Sequence, residues 1–130
     1  MQIIFLSSEF GIINEWKSKH SIEYSVSCYD LDTLKHALEA YEKYVLVVDY
    51  DSVANDINKL ISAAAIPDNT IILERNPEIA TGKMLLSHGI KAYGNARMQS
   101  VHYLQMLGAV IEGKVWTYPE LTSSLVKESS

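Results

Sequence analysis

Short apolar runs alternate along the chain with stretches in which apolar residues recur every three or four positions. The runs are Gln2–Leu6, Glu23–Cys28, Tyr44–Tyr50, Thr70–Leu73 and a shorter one at Ala92–Tyr93, all of strand length. Between them, Ile12, Ile13 and Trp16 form one helical stripe. Leu31, Leu34, Leu38 and Tyr41 form a second, and Val53, Ile57, Leu60 and Ile61 a third. A fourth helix is expected to open at Asn76-Pro77, with Asn as N-cap and Pro at the first helical position, and to close at Gly89. Gly82 within it costs about 1 kcal/mol relative to alanine, which makes this the least robust helix. A fifth is expected from Met98 to Glu112, stopping at Gly113.

The third run is the most telling: Tyr44-Val45-Leu46-Val47-Val48-Asp49-Tyr50-Asp51-Ser52. A continuous β-branched run marks a strand buried on both faces, and this one delivers Asp49 to its carboxyl end. Open α/β sheets place their ligand sites at that edge. Strand–helix alternation with short connections predicts right-handed βαβ crossovers and a parallel sheet covered on both faces. The pattern therefore predicts an α/β domain over residues 1–113 and a tail over 114–130, Ser-rich and frayed at its end.

Composition narrows the function classes. A chain of 130 residues, 48% hydrophobic and 21% charged, fits one soluble globular domain. Its net charge of −5, without a basic cluster, argues against nucleic-acid or anionic-membrane binding by this domain. Cys28 is the only cysteine, so an internal disulfide and two-cysteine metal or redox motifs are excluded. On its strand it reads as a buried, inert small hydrophobe. His20, His36, His88 and His102 are scattered, so no metal site is expected. The first residues lack a basic flank and reach Ser7 too soon for a signal peptide, and no run approaches membrane-spanning length. The cytoplasm is the expected compartment. No Gly-rich loop follows any strand, which leaves no nucleotide-binding signature.

The βα units, Asp49 closing the third strand, and Gly89-Ile90-Lys91-Ala92-Tyr93 before the fifth helix together resemble a response-regulator receiver domain of the CheY-like type, over residues 1–112. The resemblance implies a flavodoxin-like (βα)5 doubly wound sheet of strand order 2-1-3-4-5 and a phosphoacceptor-equivalent role for Asp49. The partner residues of that aspartate depart from the family pattern. Ser7 and Ser8, followed by Glu9, stand where receivers carry the acidic pair that binds Mg²⁺. Two hydroxyls cannot supply the charge that lets a carboxylate attack an anionic phosphate donor. Glu74 occupies the Ser/Thr position of the fourth strand, where its carboxylate would repel a phosphoryl group or act as a fixed negative charge; Arg75 or Arg97 would be its ion-pair partner. Ala96 stands at the lysine position, and Ser52-Val53 replaces the usual proline. Tyr93 keeps the aromatic switch position.

This pattern is similar to degenerate, or pseudo-receiver, domains, which keep the fold and interaction surfaces without Mg²⁺-dependent phosphorylation. It implies a non-enzymatic signalling module without a cofactor, acting through protein–protein contacts. The expected partners are a second copy of the chain and a protein such as a histidine kinase or an effector domain. Among the pocket residues, Asp51 is expected to help Ser52 cap the third helix, and Ser7 and Ser8 to serve the start of the first. The fifth helix is apolar beyond one stripe: Val101, Leu104, Gly108 and Ile111 on one line, with Tyr103, Met106, Leu107 and Val110 besides. That excess predicts an interface at Val101, Tyr103, Met106 and Val110. Lys114-Val115-Trp116 and Pro119-Glu120-Leu121 resemble the linker that joins a receiver to a LuxR-type helix-turn-helix in NarL-like regulators. Two alternatives stay open. One is a true phosphoacceptor whose atypical Mg²⁺ site uses Glu9 and Asp51. The other is a haloacid-dehalogenase-like phosphatase using Asp49-x-Asp51.

Overall fold

In the computed structural model of the chain, which describes residues 1–19 and 24–129, the central run Tyr44–Asp49 is the middle of a parallel sheet. Strands β1 (Gln2–Leu6), β2 (Ser25–Cys28), β3 (Tyr44–Asp49), β4 (Thr70–Glu74), β5 (Ala92–Asn95) and β6 (Trp116–Thr117) lie in the order β2-β1-β3-β4-β5-β6. This is the expected 2-1-3-4-5 order with one strand added beyond β5. The register sets Phe5 beside Val47 and Asp49 beside Leu73, so the carboxyl ends of β1, β3 and β4 converge on one edge. Helices α1 (Phe10–Ser18), α2 (Leu31–Ala40), α3 (Tyr50–Ser62), α4 (Ile79–Ser87), α5 (Ser100–Ile111) and α6 (Pro119–Ser129) cover the two faces.

The alternation of side chains along each strand sorts the core into two layers. Ile3, Phe5, Val45, Val47, Ile71 and Leu73 point to the face covered by α1 and α5, where Trp16, Tyr103 and Met106 are fully buried. Ile4, Leu6, Leu46, Val48 and Ile72 point to the opposite face, against Leu34, Ile57, Leu85 and Leu121. The Trp16 indole N–H donates to the Ala96 carbonyl at 2.9 Å, which ties α1 to the end of β5. Cys28 is fully buried on β2, as expected, and burial followed by the nearby Asp30 carboxylate raises its thiol.

Several expectations need correction. The fourth helix opens at Ile79 rather than at Asn76-Pro77, because Glu78 is in extended geometry (φ −122°, ψ 141°) and its amide is taken by the Tyr93 hydroxyl. The tail is no frayed end: Trp116–Thr117 pairs with Ala92–Tyr93, and α6 packs Leu121 into the core with no exposed surface. The interface residues of the fifth helix are mostly core. Tyr103, Met106 and Val110 are buried, while Val101, Leu104 and Ile111 are 53%, 49% and 47% exposed. A helix that is apolar all round does not reveal its own rotation; the packing of Tyr103 and Met106 beneath the sheet decides it. Gly82 earns its place in α4, since a Cβ there would lie 2.5 Å from Leu121 Cδ2 and 2.8 Å from Tyr93 Cδ2. The start of the second run at Glu23, together with His20, lies outside the described residues.

Candidate functional site

The convergence of β1, β3 and β4 places the predicted pocket residues at one edge of the sheet. Asp49 is fully buried at the end of β3. Its Oδ2 accepts a hydrogen bond from the Ser7 hydroxyl at 2.8 Å, and its Oδ1 has no hydrogen-bond partner among the described residues. Ser7 is buried too, and its hydroxyl oxygen also accepts from the Glu9 amide at 2.9 Å. Ser7 thus bonds both the connection that leads into α1 and the carboxylate, whereas Ser8 takes part through its amide rather than its hydroxyl. The Ser52 hydroxyl lies 3.2 Å from that of Ser7 and accepts from the Ser8 amide at 3.1 Å. Ser52 does not cap α3, which starts at Tyr50; it links the β1–α1 connection to α3 instead. Val53 leaves helical geometry (φ −127°, ψ 21°), so α3 is kinked there.

Two further carboxylates of this edge are bonded to Arg75. Asp51 is exposed and its Oδ2 accepts from the Arg75 amide at 2.8 Å. Glu9 pairs through Oε2 with the Arg75 guanidinium at 2.9 Å. Arg75 therefore ties the segments after β1, β3 and β4 together with one cation and one amide. Ala96 is buried, with its carbonyl held by Trp16. Mg²⁺ requires several oxygen donors in near-octahedral array. Among the described residues no group of three His, Cys, Asp or Glu side chains is placed to hold a metal ion.

Glu74 is not paired with Arg75 or Arg97. Its Oε1 accepts from the Tyr93 hydroxyl at 2.5 Å, and that hydroxyl in turn accepts from the Glu78 amide at 2.9 Å. Tyr93 is fully buried against Gly82, Leu121 and the ring of Tyr118, whose centroid is 5.8 Å away. Burial raises the Glu74 carboxyl above its ordinary value, Asp51 and Glu78 raise it further, and the Tyr93 hydrogen bond pulls it back. Burial, then the Glu74 bond, pushes the Tyr93 phenol far above its ordinary value, so it keeps its proton and donates at neutral pH. The sequence pattern singled out Tyr93 and Glu74 separately but missed that they meet, and it missed Glu78. The signal was present in the register: Ile72 pairs with Tyr93, so Glu74 lies two residues further along the adjacent strand.

No family model and no curated protein matches the sequence. Solved structures do. The isolated REC domain of RcsB from Salmonella enterica serovar Typhimurium in the apo form matches with a TM-score of 0.77 at 20% identity, covering 98% of each chain. The same domain in the presence of phosphomimetic BeF3⁻ matches with a TM-score of 0.71 at 17% identity, over 95% of this chain and 96% of that one. The non-phosphorylated receiver domain of the stress response regulator RcsB from Escherichia coli gives 0.70 at 18% identity, over 91% and 98%. The chain has the fold of a response-regulator receiver domain.

Proposed function

We propose that the chain is a receiver-like signalling module that works in the cytoplasm without phosphorylation, through contacts with other proteins. The observation that carries this reading is the Tyr93 hydroxyl bridging the Glu74 carboxylate and the Glu78 amide. A permanent carboxylate at the end of β4 does here what a transient phosphoryl group would otherwise have to do through a Ser or Thr: it fixes the switch aromatic. The Asp49 edge supports the same reading, because Ser7 occupies one carboxylate oxygen and the neighbouring acids are committed to Arg75. The reading is tested by incubating the full chain with Mg²⁺ and acetyl phosphate and measuring intact mass. An unchanged mass is expected; one added phosphate per chain, absent in Asp49→Asn, would overturn it.

The partner surface includes a second copy of the chain, seated on α5. Val101, Leu104 and Ile111 make an exposed apolar stripe, and Gly108 lies within it. A Cβ at Gly108 would meet nothing within 4 Å, so nothing inside the chain requires a glycine that costs the helix about 1 kcal/mol. A helix approaching closely from outside would make use of it, and the same stripe on a second copy could supply one. Sedimentation of the protein is expected to give a dimer that Leu104→Glu converts to a folded monomer.

A further inference from the structure

β6 and α6 do more than extend the sheet: with α4 and α5 they enclose a groove of about 1140 Å³. Trp116, Met98 and Ile79 give it apolar walls. Trp116 is fixed there by close approach to the backbone, since a Cβ at Gly94 would lie 2.8 Å from its ring. No lysine or arginine lines the groove; Glu78 and Glu120 do, with His102 as the one basic group. Both acids sit at the starts of helices α4 and α6, where the positive helix ends favour them. Tyr118 lies beside them, and its phenol is raised by burial and then by Glu120, Glu74 and Glu78. The volume exceeds the roughly 300–1,000 Å³ of ordinary small-molecule pockets, and the acidic lining disfavours a polyanion.

We propose that this groove receives a short segment of a partner protein that carries a basic side chain next to an apolar or aromatic one. The apolar side chain packs on Trp116 and Met98, and the cation sits among Glu78, Glu120 and the Tyr118 ring. An arginine suits that position best, because its planar guanidinium stacks on an aromatic face while pairing with a carboxylate. The Glu78 amide is bonded to the Tyr93 hydroxyl, so one wall of the groove is continuous with the bridge between β4 and β5. The inference rests on the reading of the chain as a protein-contact module, but not on its independence from phosphorylation.

The test uses the full chain, isotope-labelled for amide NMR, and three probes: a short peptide alternating Arg with Leu and Trp, the same peptide with Glu for Arg, and a short RNA. Only the Arg peptide is expected to shift signals, and the shifts should map to Glu78, Ile79, His102 and Trp116. The double variant Glu78→Gln/Glu120→Gln should weaken that binding about tenfold or more with a retained amide spectrum, and added salt should weaken it as well. Equal binding of the Glu peptide, preference for the RNA, shifts mapping elsewhere, or no shift at about 1 mM peptide would each overturn the proposal. A phosphate adduct in the mass experiment with the peptide still in the groove would remove phosphorylation independence alone.

Discussion

Asp49 and Tyr93 are buried equally deeply, one closing β3 and the other within β5, and they are held in different ways. The Tyr93 hydroxyl makes a donor bond to Glu74 and an acceptor bond from Glu78, and its ring is packed by Gly82, Leu121 and Tyr118. Asp49 has a single hydroxyl on one oxygen and, among the described residues, no hydrogen-bond partner on the other. A buried carboxylate oxygen without a partner is costly, of the order of 1–3 kcal/mol, whereas the tyrosine is satisfied and immobilised. The contrast shows where the fold places its interactions: on holding Tyr93 inward rather than on satisfying Asp49.

The comparison breaks most visibly if α6 is not part of the packing around Tyr93. Leu121→Ala removes a fully buried side chain between α4 and Tyr93 and should cost about 2–5 kcal/mol, read as a lowered urea midpoint. A loss under about 1 kcal/mol would return α6 to a loosely attached tail. Tyr93→Phe keeps the ring and removes the hydroxyl, leaving the half-buried Glu74 and the Glu78 amide to water. A loss of about 1–2 kcal/mol is expected, together with amide shifts along α4.

The same residue gives the comparison a pH signature. Burial raises the phenols of Tyr93, Tyr103 and Tyr118 above their ordinary values. An unfolded tyrosine ionises from about pH 10, while the folded chain keeps these protons. The stability they contribute is therefore complete below pH 10 and falls as pH rises beyond it. Tyr93→Phe should flatten that fall, seen in urea midpoints measured across the alkaline range; an unchanged slope would mean that Tyr93 is not held as described. The smallest effect belongs to Arg75. Arg75→Ala breaks an exposed pair with Glu9 and should cost less than about 1 kcal/mol, fading with salt.

Much of this molecule was legible in its sequence because local patterns carried it. The continuous run ending at Asp49 announced a buried parallel strand, and the stripes of Ile12, Ile13 and Trp16 and of Val53 and Ile57 gave the faces of α1 and α3. What stayed hidden depended on contacts between distant residues. Asn76-Pro77 has the local chemistry of a helix start, yet the helix begins at Ile79 because the Tyr93 hydroxyl captures the Glu78 amide from another strand. β6 is only Trp116–Thr117, too short for any alternation, and α6 is anchored chiefly by Leu121 in an otherwise polar sequence. At the candidate site, Ser7 and Ser8 at the end of β1 and Asp49 at the end of β3 were plain in the sequence. The meeting of Ser7 with Asp49, of Glu9 with Arg75 and of Glu74 with Tyr93 required the register of the sheet.

The central claim is that the inward position of Tyr93 is set by Glu74 and is uncoupled from Asp49. Amide NMR spectra of the full chain, recorded before and after addition of Mg²⁺ with beryllofluoride and again for Glu74→Gln, test it most directly. The account predicts that beryllofluoride leaves the signals of Tyr93, α4 and α6 where they are, while Glu74→Gln moves them. Saturable shifts at Asp49 that spread to Tyr93 on adding beryllofluoride, with Glu74→Gln silent, would contradict it.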